Sequence, residues 1–384
     1  MLETRLLSSL SKVFADEELM DPAVAKGSCL RGEVFSFQLA YRSPVSVKGI
    51  EIEVESSLQR YIDVRVVGLV PAEFLGAHFD DDVLRTTPGL YPDPLYGLES
   101  GIDALPGQWR ALWVRVRVPP RRVQGQHPIV IRLYHGGQLL GSERFVLEVV
   151  PKALPQQRLI HTSWFHADCV ATYYGDAVWS PGHWQRLEEF VHSAVDHGIN
   201  LLLTPLFTPP LDTRVGGERP TVQLVQVKKD GDHYSFDFSR LDRWVRMADR
   251  CGVRFFEMAH LFTQWGAAHC PKIVAIDNGR ERKIFGWKDR AAGAKYCNFL
   301  DQFLPQLVRY LKKRGIDKRC YFHVSDEPHI DHLEAFGQAA AMVHGHLEGF
   351  PFIDALSNLE YYEHGLVRCP IPASNHLEPF VAKG

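Results

Sequence analysis

No glycine-rich phosphate loop follows any strand-like run in this chain of 384 residues, which argues against a nucleotide-binding domain. No apolar run reaches the ~20 residues of a membrane span. Met1 to Lys12 carries neither an adequate apolar stretch nor a small-residue cleavage site, so no secretory leader is read there. Basic excess is also missing: 43 Lys and Arg face 46 Asp and Glu, a net charge of -3, with no polybasic run to hold nucleic acid. The seven cysteines (Cys29, Cys169, Cys251, Cys270, Cys297, Cys320 and Cys369) form no C-x-x-C pair. That excludes a zinc ribbon and a disulfide framework and suits reduced thiols in a cytoplasmic protein. What remains is an ordinary globular composition, 45% hydrophobic and 23% charged, long enough for two or three domains.

Residues 1–155 read as all-β. Val34 to Tyr41, Ile50 to Val54, Leu112 to Val118 and Ile129 to Tyr134 alternate with period two, and Gly, Pro and Ser clusters separate them. His135-Gly136-Gly137-Gln138 is a hairpin turn. Short alternating strands with no helix between them predict a β-sandwich. Arg85 to Leu98 reads as a long Pro/Gly/Tyr-rich loop.

Pro151-Lys152-Ala153-Leu154-Pro155 marks the domain boundary, and residues 156–384 alternate strands with helices. Strands are expected at His161 to Phe165, Ile199 to Leu203, Val253 to His260, Tyr321 to Val324, Phe352 to Leu356 and Ile371 to Ser374. Ser180-Pro181 opens a helix that Gly198 ends, Ser239 caps one that Gly252 closes, and a long one ends at Gly315 with a kink expected at Pro305. Polar or aromatic residues follow every strand, as on the C-terminal rim of a (β/α)8-type TIM barrel. The fold class is therefore α/β: an N-terminal β-sandwich, then a TIM barrel. Six strands are counted where eight are needed, so the barrel is expected to be incomplete at the C-terminus. Two long βα connections stand out. Residues 208–238 hold a hairpin pairing Val222 to Val227 with Tyr234 to Phe238, and residues 263–290 carry Trp265, Phe285 and Trp287.

The strongest chemical signal is Cys320-Tyr321-Phe322-His323-Val324-Ser325-Asp326-Glu327-Pro328. A β-prone run ends in two adjacent carboxylates and a proline, and Asp331 with Glu334 reads as the next helix start. Ordinary glycosidases hold their two carboxyls ~5–5.5 Å or ~6.5–9.5 Å apart across the sugar, which adjacent residues rarely do. Neighbours suit substrate-assisted hydrolysis instead. The sugar's own 2-acetamido oxygen attacks the anomeric carbon, one carboxylate steadies the acetamido group, and the other shuttles a proton. An ionised Asp326 would also raise the pKa of Glu327. The bland alternative is a helix cap, with acids favoured by the helix N-terminus.

The chain resembles the group known as domain of unknown function 4091, related to glycoside hydrolase family 123. The segments that carry this are Leu84 to Leu95, Trp164-Phe165-His166-Ala167-Asp168-Cys169, Leu203 to Thr213, His260-Leu261-Phe262-Thr263-Gln264-Trp265-Gly266, His323 to Pro328 and Asp354-Ala355-Leu356-Ser357-Asn358. The resemblance implies a β-sandwich with a (β/α)8 barrel and β-N-acetylgalactosaminidase-like activity. It implies Asp326 as the acetamido stabiliser and Glu327 as the general acid/base. Similar proteins continue past the position of Gly384, so the last barrel strands are expected to be missing.

Other strand-end residues are candidates for holding the carbohydrate: His166 and Asp168 after the first strand, and His260, Gln264 and Trp265 after the third. His323 precedes the acidic pair, and Asn358, His376 and Glu378 lie further on. For His323 a buried structural role is the competing reading. Arg214 and Arg219 read as solvated loop charges. No cofactor, metal, nucleic acid or membrane is expected. Two alternatives stand beside the hydrolase: a metal-dependent barrel enzyme using His166, His260, Asp326 and Glu327, weakened by the lack of H-x-H and H-E-x-x-H, and a carbohydrate-binding protein without turnover.

Overall fold

The computed structural model describes residues 2–73, 83–99 and 101–383. The chain divides into two compact units, Met1–Gln156 and Gln157–Gly384.

Among its described residues the first unit holds ten strands: β1 (Glu3–Ser8), β2 (Lys26–Arg31), β3 (Val34–Arg42), β4 (Val47–Glu55), β5 (Ile62–Ala72), β6 (Gly89–Gly97), β7 (Ile102–Ala104), β8 (Arg110–Arg117), β9 (Gly125–His135) and β10 (Gln138–Ala153). One sheet runs β1-β3-β8-β5-β6 and the other β2-β10-β9-β4-β7. Period-two alternation sends Leu112, Val114 and Val116 of β8, and Ile129, Ile131 and Leu133 of β9, into one buried core. Each such side chain contributes roughly 1.5–3 kcal/mol when fully buried. The rings of Phe37 and Phe145 stack across the sheets at 4.1 Å. Gly136 and Gly137, at φ 55° and 79°, turn β9 into β10 where a side chain would be strained. The segment read as a long loop, Arg85 to Leu98, instead contains β6, an edge strand on β5. Its prolines, Pro92 and Pro94, are tolerated because one side of an edge strand makes no ladder.

The second unit is mixed α/β. Its elements are α1 (Ala167–Tyr174), α2 (Pro181–Asp196), β11 (Leu201–Thr204), β12 (Gln226–Asp230), β13 (His233–Asp237), α3 (Ser239–Cys251), β14 (Phe255–Met258), β15 (Ile273–Asp277), β16 (Arg280–Phe285), α4 (Ala294–Arg314), β17 (Cys320–Phe322), α5 (Leu333–His344), β18 (Ile353–Ala355), α6 (Glu360–Glu363), β19 (Cys369–Ile371) and α7 (Glu378–Lys383). β11, β14 and β17 pair in parallel, as do β18 and β19. Single parallel bridges, Thr162 to Leu201 and Phe322 to Phe352, extend the series at both sides. Thus the parallel segments neighbour one another in chain order, as in a barrel wall and unlike a doubly wound sheet. They form a curled half-barrel; closure into a complete ring is not seen among the described residues. The first expected strand is reduced to the Thr162 bridge.

Helix ends follow their sequence signals. Ser180 Oγ accepts from the His183 backbone N–H, and Gly252 and Gly315 close α3 and α4 in the left-handed region. α4 continues through Pro305 without an interruption. In the 3-10 turn Ile330–His332 that leads into α5, His332 Nδ1 accepts from the His329 backbone N–H; α5 itself has no side-chain cap among the described residues, so the expected Asp331 cap is absent. A second, four-stranded sheet, β13-β12-β15-β16, is built from the two long connections. Its β15–β16 hairpin was not anticipated, although Asn278-Gly279 at φ 50° and 75° makes its turn. No helix among the described residues is long and apolar enough to cross a membrane.

Candidate active site

β17 ends at Phe322, and the buried residues His323, Val324 and Ser325 lead to Asp326, half-buried, and Glu327, exposed. Alternation along a strand would point these neighbours to opposite faces. Glu327 breaks it by adopting φ 44°, a left-handed conformation that costs a non-glycine residue about 1–3 kcal/mol. The corner is tied down on both sides. Ser325 Oγ donates to the Thr263 carbonyl at 2.7 Å, and the Trp265 N–H donates to the Asp326 carbonyl at 3.0 Å. Tyr361 of α6 donates its hydroxyl to the His329 carbonyl at 2.7 Å. Neither carboxylate of the pair has an ion-pair or side-chain hydrogen-bond partner among the described residues. Burial, then the Glu327 charge, pushes the Asp326 carboxyl up to about 6; His323 opposes this, while Asp212 and Glu257 add to it. The upward push expected from mutual repulsion is thus found at Asp326, the more buried member.

Behind the pair lies a residue the sequence reading missed. Glu257 of β14 is fully buried and accepts three hydrogen bonds, from Thr162 Oγ1 at 2.5 Å, His323 Nε2 at 2.7 Å and Trp164 Nε1 at 2.8 Å. Its signal was a lone acid within the apolar run Phe255-Phe256-Glu257-Met258, where an unpaired charge would be costly. His260 stacks on His323 with ring centroids 4.0 Å apart, and Trp164 meets His260 edge-on at 5.4 Å. Neither ring nitrogen of His260 has a partner among the described residues. Burial, with His323 and His166 nearby, pushes it well below the usual histidine range, which makes it a neutral imidazole. Asp354 of β18 is fully buried as well, and neither carboxylate oxygen meets a partner of good geometry among the described residues. Burial first, then Asp326, pushes its carboxyl well above the ordinary range, against the pull of the Ser325 and Ala355 backbone N–H groups.

The remaining candidates divide. His166 sits at the start of α1 and bonds Asp212 Oδ2 through Nε2 at 2.6 Å. Gln264 is buried and gives its amide to the Thr213 carbonyl, leaving Oε1 without a partner. Trp265 is 46% exposed and begins a left-handed run with Gly266 and Ala267, so its indole is displayed beside the Asp326 corner. Gly266 has no room for a side chain: an added Cβ would lie 2.7 Å from the His332 ring. Asn358 is half-buried just beyond β18. His376 and Glu378 are exposed past β19, and no hydrogen bond or ion pair joins them to the cluster among the described residues; a polar residue after a strand need not turn inward.

Asp168 requires a correction, and so does Arg219. The guanidinium read as a solvated loop charge grips both Asp168 oxygens, at 3.1 and 3.2 Å, with side-chain exposures of only 9% and 5%. Asp168 therefore braces the 208–238 connection against α1, with each carboxylate oxygen accepting from Arg219. Arg219→Met should strand a buried carboxylate and destabilise the fold by about 3–5 kcal/mol. Denaturant unfolding measures this, and a loss under about 1 kcal/mol would show that the pair has little structural weight. The metal reading required His166, His260, Asp326 and Glu327 to converge. Among the described residues no three His, Cys, Asp or Glu side chains are grouped to hold an ion.

A model of the family described as glycoside hydrolase 123, catalytic domain, matches residues 164–384. No curated protein matches the chain. Among solved structures, the chain is similar to a family 123 glycoside hydrolase from Clostridium perfringens, reported for glycolipid glycan hydrolysis. The TM-score is 0.74 at 13% identity, over 98% of this chain and 67% of that one. At that identity the likeness speaks for the fold. Two further matches are too distant in shape to bear on the argument. One is a putative glycoside hydrolase from Bacteroides vulgatus, with TM-score 0.27 and 10% identity over 89% of this chain and 64% of that one. The other is a Bacteroides ovatus GH5 xyloglucanase, with TM-score 0.25 and 8% identity over 95% and 70%.

Proposed function

The chain belongs to glycoside hydrolase family 123, and from that premise we propose that residues 156–384 cleave a terminal β-linked N-acetylhexosamine, of the N-acetylgalactosamine type, by substrate-assisted retaining catalysis. One observation carries the reading: Asp326 and Glu327 are adjacent just past a strand end, and neither is spent on an ion pair among the described residues. Asp326, more buried, accepts the N–H of the substrate's 2-acetamido group and steadies the positive charge that develops there. The acetamido oxygen attacks the anomeric carbon as Glu327 donates its proton to the glycosidic oxygen, and the bond to the leaving sugar breaks. Water then opens the oxazoline intermediate while Glu327 takes back a proton. The exposure of Glu327 suits that second half, which needs water at hand. Trp265, 46% exposed, offers an apolar face to the sugar ring.

The test is a panel of aryl glycosides. Aryl β-N-acetylgalactosaminide and β-N-acetylglucosaminide should be hydrolysed, the aryl β-galactoside lacking the acetamido group should not, and activity should survive chelation. Loss of turnover on chelation would favour the metal-dependent enzyme. Sugar binding without hydrolysis would favour the binding protein.

A further inference from the structure

The acid pair stands on a stretch that no regular element supports. β17 ends at Phe322 and the next helical turn begins at Ile330, so residues 323–329 belong to no ladder or helix. A side chain on such a stretch keeps its aim only if other parts of the fold hold its peptide. One loop, residues 263–269, does so at two consecutive residues. The Thr263 carbonyl accepts from the Ser325 hydroxyl at 2.7 Å, and the Trp265 N–H donates to the Asp326 carbonyl at 3.0 Å. Ser325 is fully buried, so its hydroxyl is committed to this contact. The Asp326 carbonyl lies in the peptide plane that joins Asp326 to Glu327, and a bond to it fixes how the second acid leaves the first. That is the plane from which Glu327 departs at φ 44°.

The loop is itself braced. At its base the Thr263 N–H donates to the His269 carbonyl at 3.0 Å, and the His269 N–H donates to Thr263 Oγ1 at 3.2 Å. At its tip Trp265, Gly266 and Ala267 run left-handed, at φ 58°, 112° and 57°. Two of the three are not glycine, and such strain persists only where the surroundings impose it. Ala267 is buried, and Gly266 is pressed against the ring of His332, in the turn that follows the acid pair. The loop thus meets the corner before Asp326, at Asp326 and after Glu327. We propose that residues 263–269 are the positioning element of the site, with Ser325 and Thr263 as its positioning residues. The loop sets where Asp326 meets the acetamido group and where Glu327 meets the glycosidic oxygen. This rests on the sugar reading of the pair.

Kinetics and ligand binding on the full chain test this. In Ser325→Ala, kcat on an N-acetylhexosaminide should fall about 10- to 100-fold, the cost of misplacing a reacting group by ~1 Å, with KM within about twofold. Affinity for a thiazoline analogue of the cyclised acetamido sugar, which needs Asp326 in place, should fall by a like factor. Affinity for the free N-acetylhexosamine should not change. Thr263→Val removes the hydroxyl that closes the loop and should show the same pattern at smaller size. Thr263→Ser, which keeps that hydroxyl, should recover most of kcat. If Ser325→Ala does not fold, the two Thr263 variants decide. A folded Ser325→Ala with unchanged kcat and analogue affinity overturns the proposal. So do equal losses for analogue and free sugar, which mark a pocket deformed as a whole, and Thr263→Val and Thr263→Ser that behave alike. A wild type that neither turns over an N-acetylhexosaminide nor binds the analogue sinks the sugar reading itself, before any variant is compared.

Discussion

Glu327→Gln should lower kcat on an N-acetylhexosaminide with a sugar leaving group by about 10²–10⁴-fold, the usual weight of a positioned general acid. The loss should shrink sharply on an aryl glycoside whose phenol departs without protonation, because the departing oxygen then needs no acid. Stability should stay within about 0.5 kcal/mol of wild type, since Glu327 is exposed and bonded to nothing among the described residues. Steady-state kinetics on matched leaving groups and a thermal melt read out all three. An equal loss on every leaving group would assign Glu327 a role other than proton donor.

Asp326→Asn should remove about 10²–10³-fold of kcat, because a neutral amide cannot offset the charge on the reacting acetamido group. Its pH behaviour is the sharper test. The wild-type rate should climb as pH rises through about 6, where Asp326 loses its proton, and that limb should vanish in the variant. Stability should move the other way. Below the ordinary aspartate value near 3.8, folded and unfolded chains both hold the proton and Asp326 adds no penalty. Between there and about 6 only the folded chain keeps it, so stability falls as pH rises and stays reduced above. Removing the carboxylate should therefore raise stability at neutral pH by about 1–3 kcal/mol. A variant that is both inactive and less stable at pH 7 would show that Asp326 belongs to the packing of the corner.

Local patterns were readable where the fold is local. Apolar runs located β11, β14 and β18 within a few residues, and the acidic corner after β17 stood out because a strand ended in charge. Asn278-Gly279 was an equally plain turn signal, lost among the aromatics of a long connection. Glu257 could have been singled out as one acid inside an apolar strand. Its partners could not, because Thr162 and His323 reach it from distant points of the chain. The same holds for Arg219, whose hold on Asp168 spans 51 positions. Alternation and capping are rules about neighbours, and they carry no information on which remote side chain will arrive. His376 and Glu378 mark the opposite limit: a polar residue beyond a strand says where the chain turns, not which way its side chain faces.

The chain-order pairing of the parallel segments governs how the corner comes into being. Each segment lies beside the one made before it, from the Thr162 bridge to β11, β14 and β17. A nascent chain can therefore lay down its sheet in the direction of synthesis, without waiting for a distant partner. Glu257 emerges on β14 after Thr162 and Trp164 but well ahead of His323, so its third hydrogen bond waits for the segment after β17. The last donor to Glu257 is thus carried by the same short stretch of chain that bears Asp326 and Glu327, and the two arrive together.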